Sequence, residues 1–296
     1  MNDSGKAMKP EAGSDFASLF PERRLERRSF IATSIGAGFA LALQPVSAQT
    51  IKTDAVGLIA GEVKVPVKGG DMACYRAMPA YGAPFAPIIV VHEAWAVHEH
   101  IQDICRRLAK LGYYAIAPDL FARYGDATRM ETSAIVQNIL PKILAEEVDG
   151  DLDACVAFIR TSGAAKMDRL AIIGFCWGGR AVWQYASHNR QLKTGVAWYG
   201  HLSTPLGPDA PSALDLAPSL TVPVLGFYGG KDQGIPLANV DKMRAALKEA
   251  GNPSQIVVYP EAGHAFLADY RPSYDKAAAE DSWKKMLAWL RYHGVE

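Results

Sequence analysis

The chain has 296 residues, enough for one large domain or two small ones with a sizeable core. Its 31 basic residues balance its 31 acidic residues, so the formal net charge is zero. This balance argues against a nucleic-acid or membrane-surface partner, and the hydrophobic share of 49% is that of an ordinary globular protein.

The N-terminal segment is typical of an export leader. Arg27 and Arg28 precede an apolar stretch over residues 30–43, which is a twin-arginine pattern, and small residues before Gln49 fit cleavage after Ala48. The apolar stretch is too short for a comfortable membrane span. We therefore expect a leader over residues 1–48, export by the twin-arginine machinery and a periplasmic mature protein without stable membrane insertion. An uncleaved membrane anchor is the alternative.

The rest of the chain, residues 49–296, alternates between strand and helix patterns, which predicts one α/β domain with a mostly parallel sheet covered on both faces. A hairpin is predicted over residues 61–78. Residues 202–221 hold four prolines and are predicted to form a loop, with a lid over a site as one interpretation. After the hairpin, strands are predicted at 88–91, 113–117, 170–173, 194–199, 222–228 and 255–259, and the first two are typical of buried parallel strands. The predicted helices lie at 97–111, 130–144, 148–161, 181–186, 237–250 and 274–292.

One of these strands leads into the pattern Gly-x-Cys-x-Gly-Gly at residues 174–179. A strand, a sharp turn and a helix in this order are the layout of a nucleophile elbow. Gly174 and Gly178 would flank the nucleophile because a Cβ at either place would collide with a neighbouring element. The turn would also put Cys176 at a helix N-terminus, where the dipole favours a thiolate. The alternative is a buried apolar cysteine beside a glycine turn.

Polar side chains follow four of the predicted strands at their carboxyl ends, where ligands bind in such sheets. They are Glu93, Cys176, Asp232 and His264. A nucleophile, an acid and a histidine in this chain order are typical of α/β-hydrolases. The chemistry needs a base within reach of the nucleophile and a carboxylate that orients the base. Taken singly, Asp232 is more often a solvated turn residue and His264 a surface histidine, so the prediction rests on their combination.

These motifs resemble the dienelactone hydrolase (carboxymethylenebutenolidase) family of α/β-hydrolases, over residues 63–289. The resemblance implies hydrolysis of a small-molecule ester or lactone through a thioester acyl-enzyme, without a metal or organic cofactor. The segments that carry it are residues 91–93, 117–123, 174–179, 229–232 and 263–266.

The resemblance also implies roles for individual residues. Cys176 matches the nucleophile, His264 the general base and acid, and Asp232 its orienting carboxylate. Glu93 matches a carboxylate that pairs with the nucleophile and helps to form the thiolate when substrate arrives. A thiol that stays neutral until then would be protected from oxidation. The alternative for Glu93 is a buried acid that accepts backbone hydrogen bonds.

The oxyanion hole would consist of the backbone N–H groups of Trp177 and Ala94. Where dienelactone-cleaving members have a substrate-binding arginine, four residues after the histidine, this chain has Ala268. A larger or less charged ester or lactone is therefore an alternative substrate. The expected aromatic substrate contacts are Trp95, Tyr199 and Phe266, although each is individually more often a core residue. The resemblance also implies a substrate-binding arginine in the loop after residues 118–120, for which Arg123 is expected and Arg129 is the alternative.

A metal site and two other functions also remain open from the sequence. His92, His98 and His100 around Glu93 allow a metal site, but their spacing is poor for one and the hydrolase pattern already accounts for the glutamate. Cys74, Cys105 and Cys155 lie in apolar patterns and are expected to be free core thiols. At the level of function, a catalytically silent binding domain and a hydrolase of another acyl bond, an amide or a thioester, remain open.

Overall fold

The computed structural model describes residues 51–207 and 210–296, and the predicted leader and its cleavage site lie outside this part of the chain. The described residues form an eight-stranded sheet with the strand order β1-β2-β4-β3-β5-β6-β7-β8. The strands are β1 Leu58–Val67, β2 Gly70–Pro79, β3 Pro87–Val91, β4 Tyr114–Pro118, β5 Ala171–Phe175, β6 Thr194–Trp198, β7 Val224–Gly229 and β8 Gln255–Tyr259. The helices are α1 Glu99–Lys110, α2 Thr132–Asn138, α3 Ala145–Thr161, α4 Trp177–His188, α5 Ala213–Leu216, α6 Leu237–Glu249 and α7 Lys276–Tyr292.

The predicted α/β class with a mostly parallel sheet is confirmed. Strand β1 pairs antiparallel with β2, and β2 antiparallel with β4, whereas the ladders from β4 to β8 are parallel. Every residue of β3, β4, β5, β6 and β7 is buried, which requires that both faces of the sheet are covered. Because these strands run in one direction, the loops at their carboxyl ends gather at one edge of the sheet.

The helix predicted over residues 130–144 is wrong in its extent. Helix α2 covers only residues 132–138, and a separate 3₁₀ turn follows at Leu140–Lys142. The physical reason is Pro141, which has no N–H to donate and disfavours helix in the residue before it. The loop predicted over residues 202–221 contains the short helix α5, whose first turn is capped by Ser212 and Asp215 in a capping box.

The four cysteines, Cys74, Cys105, Cys155 and Cys176, are all free and all buried. The first three pack in the hydrophobic core, as the sequence predicts. Over residues 51–207 and 210–296, none of the helices combines the length and apolarity that crossing a bilayer requires.

Candidate active site

Cys176 lies on a sharp turn between β5 and α4. Its backbone is in a positive-φ conformation, with φ 54° and ψ −115°, which is strained for a residue with a side chain. Its N–H donates to the carbonyl oxygen of Trp198 on the neighbouring strand at 3.0 Å, which holds the turn in place. This is the strand–turn–helix geometry of a nucleophile elbow, as the sequence predicts.

The glycines of the elbow allow the backbone segments to approach closely. A Cβ on Gly174 would lie 2.3 Å from the carbonyl oxygen of Gly178, and one on Gly178 would lie 2.4 Å from that of Val91. A Cβ on Gly179 would lie 2.4 Å from the carbonyl oxygen of Trp198. Helix α4 therefore starts in direct contact with the ends of β3 and β6, because no side chain intervenes.

Asp232 and His264 follow β7 and β8, and two backbone hydrogen bonds link the turns that carry them. Gly230 donates to Tyr259 at 2.8 Å, and Lys231 donates to Ala262 at 2.9 Å. As a result, Asp232 Oδ2 lies 2.6 Å from His264 Nδ1, with both side chains buried. Because a carboxylate only accepts, Nδ1 carries the hydrogen and donates it.

The protonation of this pair follows from its surroundings. Burial disfavours the imidazolium, but the charge and hydrogen bond of Asp232, together with Cys176, outweigh burial and raise the pKa of His264 to about 10. The imidazole is therefore protonated at neutral pH. Burial alone would raise the pKa of Asp232, but the charge and hydrogen bond of His264 and the N–H of Gly234 hold it below its usual value. The second ring nitrogen of His264, Nε2, makes no hydrogen bond of regular geometry within the described residues.

Glu93 is completely buried directly after β3. The hydroxyl of Tyr270 donates to its Oε2 at 3.0 Å, whereas Oε1 is buried and has no hydrogen bond within the described part of the chain. The Tyr199 hydroxyl is also buried and without a hydrogen-bond partner there. Burial raises the pKa of Tyr199 well above its ordinary value, and the charges of Glu93 and Cys176 raise it further, so both groups lie near this hydroxyl.

The turn after β3 is fixed by His92. Burial lowers the pKa of His92 to about 4, so the ring is neutral at pH 7. Its Nε2 accepts the Leu120 N–H at 3.1 Å, and Nδ1 therefore donates to the Glu93 carbonyl oxygen at 2.6 Å. The ring also stacks on Trp177 at 5.5 Å between centroids. Sequence reasoning weighed His92 only as a metal ligand and missed this orienting role.

The backbone groups predicted for an oxyanion hole lie on the two turns that the His92–Trp177 stacking contact joins. Trp177 is the first residue of α4, so its N–H has no partner within the helix. Ala94 is in the turn between Glu93 and Ala96, and Ala96 adopts a positive φ of 54°. The stacking of His92 on Trp177 holds the two turns together.

The residues predicted to contact substrate lie in different places. The Tyr199 ring lies 5.0 Å from His264 and 5.3 Å from Phe266, so these residues form one aromatic wall of the site. Trp95 is half-buried and lies under the guanidinium of Arg271, 5.0 Å from the ring centroid. Arg123 makes ion pairs with other side chains instead, namely Asp151 and Glu147 on α3.

Tyr270 and Arg271 are the residues that sequence reasoning missed. Ala268, the position of the family's arginine, is fully buried. Asp269 lies 3.2 Å from His100 and 2.5 Å from Arg107, both on α1, and so pins the segment to that helix. Arg271 is close enough to Tyr199 and Tyr270 to affect their pKa values, and its buried Nη1 has no hydrogen-bond partner in the described chain. No spacing in the sequence indicates either side chain.

The histidines near Glu93 do not gather into a metal site. Burial lowers the pKa of His98 to about 4, and His100 pairs with Asp269. Among the described residues, no group of three or more His, Cys, Asp or Glu side chains is arranged to hold a metal ion.

An eight-stranded, mostly parallel sheet with a sharp strand–turn–helix at Cys176 defines the class as α/β-hydrolase. The family model for the dienelactone hydrolase family matches residues 72–294. The chain belongs to the dienelactone hydrolase family, and it is a carboxylic-ester or lactone hydrolase.

Individual relatives agree with this assignment. The chain is 55% identical to a "Putative carboxymethylenebutenolidase" of Methylorubrum extorquens, over 95% of this chain and 98% of that protein. It is 44% identical to a protein of the same name from Escherichia coli K12, over 89% of this chain and 98% of the relative. A solved structure titled "Putative Dienelactone Hydrolase", from Klebsiella pneumoniae, is 46% identical with a TM-score of 0.76. The match covers 79% of this chain and 98% of the Klebsiella pneumoniae chain.

Proposed function

We propose that the protein hydrolyses an ester or lactone through a Cys176–His264–Asp232 triad and a thioester acyl-enzyme. The observation that carries the proposal is the buried 2.6 Å contact between Asp232 and His264, beside a cysteine held at a strained elbow. A carboxylate, an imidazole and a thiol in this order are the parts that nucleophilic acyl transfer requires. A domain that only binds a ligand needs none of the three.

In the proposed reaction, the Cys176 thiol gives its proton to Glu93, the sulfur attacks the carbonyl carbon, and the carbonyl oxygen becomes an oxyanion. The N–H groups of Trp177 and Ala94 donate to that oxyanion, each stabilising it by roughly 3 kcal/mol. When the C–O bond breaks, His264 Nε2 gives its proton to the leaving oxygen. Water then attacks the thioester and loses a proton to the now neutral His264. The C–S bond breaks to release the acid, and the Cys176 thiolate takes its proton back from Glu93. Asp232 holds the imidazole in the tautomer that both steps need.

Glu93 has a separate role in this proposal. Its Oε1 is buried without a hydrogen bond among the described residues, and both Glu93 and Cys176 act on the Tyr199 hydroxyl. This oxygen accepts the thiol proton when substrate binds. Until that moment Cys176 remains a neutral thiol, which resists oxidation better than a thiolate. This protection matters most in the periplasm, the compartment that we propose on the strength of the twin-arginine leader over residues 1–48.

The substrate class follows from Arg271. The segment after His264 puts a guanidinium on the face of Trp95, although the family's arginine position is Ala268. A guanidinium with an unpaired N–H suits a carboxylate on the substrate. We therefore propose an ester or lactone that carries an anionic group. Arg123, whose guanidinium already pairs with Asp151 and Glu147, is the less suitable candidate for this contact.

The test is steady-state turnover of p-nitrophenyl acetate and of cis- and trans-dienelactone, with wild-type protein and the Cys176→Ala variant under reducing conditions. We expect turnover by the wild type and its loss in the variant. Equal low rates in both proteins would refute the nucleophile and favour a silent binding domain. Turnover of amide or thioester analogues, without any of esters or lactones, would instead assign the triad to another acyl bond.

A further inference from the structure

We propose that Tyr270 is a positioning residue of the hydrolytic site, which holds the Glu93 carboxylate by one oxygen and leaves the other to accept the Cys176 proton. The proposal rests on the proposed function, because it names a residue that acts through Glu93. It concerns a side chain that no sequence motif singles out.

The Glu93 carboxylate is held by one of its two oxygens. Tyr270 donates to Oε2 at 3.0 Å, and in the part of the chain that the structure describes Oε1 has no hydrogen bond although it is buried. A carboxylate with two oxygens normally accepts several hydrogen bonds when buried. One held oxygen fixes the plane of the group, and one free oxygen can take a proton from a neighbour.

The Tyr270 side chain is itself fixed by its neighbours. Its ring lies 5.1 Å from the ring of His98 and 5.2 Å from that of His100. The preceding residue, Asp269, is buried and pairs with His100 and Arg107 on α1. The hydroxyl is therefore carried by a side chain with little freedom, on a segment pinned to a helix, as a positioning group requires.

The titratable and charged groups around Glu93 leave Tyr270 as its hydrogen-bond donor. Burial raises the pKa of Tyr270 well above its ordinary value, so its hydroxyl remains a donor over the working pH range. His98 and His92 are neutral at pH 7 because burial lowers the pKa of each to about 4. The titratable or charged groups that face the Glu93 region are His92, His98, Cys176, Tyr199, Tyr270 and Arg271. Of these, Tyr270 makes the hydrogen bond to the carboxylate that the structure shows.

Removal of the hydroxyl therefore has a specific consequence. The ionised Glu93 carboxylate loses a donor and becomes less stable relative to its neutral form. The acid limb of the rate profile reports the protonation of the essential base. We expect this limb to move upward by about one pH unit in Tyr270→Phe, with a smaller change in the plateau.

The experiment measures kcat/KM for p-nitrophenyl acetate from pH 4 to 9 (roughly the range in which carboxylates and imidazoles titrate) in wild type, Tyr270→Phe, Glu93→Gln and the double variant. Tyr274→Phe is the matched control, because Tyr274 lies on the same segment without a hydrogen bond to Glu93. The rate of Cys176 alkylation by iodoacetamide is recorded over the same range, since it reports the thiol without requiring turnover.

The proposal predicts that Tyr270→Phe shifts both profiles, that Tyr274→Phe shifts neither, and that the double variant loses no more activity than Glu93→Gln alone. An unmoved acid limb in both profiles, or additive losses in the double variant, would overturn it. A uniform drop at every pH would also overturn it, because that is the sign of a merely structural residue. If the wild type turns over no ester while the alkylation profile still shifts, the proposed function fails and the role of Tyr270 stands.

Discussion

Both the fold and the candidate site depend on the absence of a Cβ atom at Gly178. In Gly178→Ala, the new Cβ would lie 2.4 Å from the Val91 carbonyl oxygen and 2.5 Å from that of His92. Ordinary contact begins at 3.4 Å, so α4 and the end of β3 must separate by about 1 Å. Both opposing atoms belong to backbone, which has no rotamer to change. We expect a loss of about 2–3 kcal/mol in the free energy of unfolding.

The same displacement separates the two sides of the candidate oxyanion hole. A misplacement of about 1 Å in a catalytic array costs on the order of 100-fold in rate. The assay is thermal unfolding together with ester turnover, with an expected fall in Tm of about 4–12 °C. Gly150→Ala is the control, since a Cβ there meets nothing within 4 Å and alanine favours the helix. A Gly178→Ala protein as stable and as active as wild type would refute the reasoning.

The remaining predictions concern the His264–Asp232 pair, Arg271 and the leader. The pKa of His264 is raised from 6.5 to about 10, so the stability it contributes is complete below about pH 6.5 and is lost as pH rises through about 10. In Asp232→Asn the alkaline limb of the activity profile should move toward neutral pH and kcat should fall by about 10²–10⁴-fold, whereas an unmoved limb would contradict the pairing. Arg271→Leu should raise KM for an anionic ester by about 10-fold or more and leave p-nitrophenyl acetate unchanged; equal effects on both substrates would remove Arg271 from substrate binding. Replacement of Arg27 and Arg28 by lysine should block export, as measured by cell fractionation, and undiminished periplasmic protein would contradict the twin-arginine assignment.

The elements that could be predicted from sequence are those whose signal is local. The glycines at 174–179 indicate the elbow because each close approach forbids a side chain. Continuous apolar runs indicate the buried parallel strands β3 and β7, which put Glu93 and Asp232 at one edge of the sheet. The parallel strand β8, which is only partly buried, puts His264 at the same edge. Where a local breaker was overlooked, as at Pro141, the predicted helix was too long.

The rest of the site depends on contacts between distant parts of the chain. Tyr270 bonds to a residue 177 positions away, and the pattern of its own segment carries no trace of that contact. Arg123 lies in the loop where the resemblance suggests a substrate arginine, yet acidic residues on α3 pair with it. Which arginine is left with an unpaired N–H is decided by tertiary packing, and Arg271 was found only in the structure.

The most direct test of the central claim is to trap the acyl-enzyme. The wild-type protein is mixed with p-nitrophenyl acetate, quenched in acid within the burst of p-nitrophenol, and analysed by peptide mass spectrometry. The account predicts an acetyl group on the peptide that contains Cys176, bound as a thioester that hydroxylamine removes, and its accumulation in a His264→Ala variant that deacylates slowly. Acetyl groups distributed over lysines, or a burst that persists in Cys176→Ala, would contradict the account.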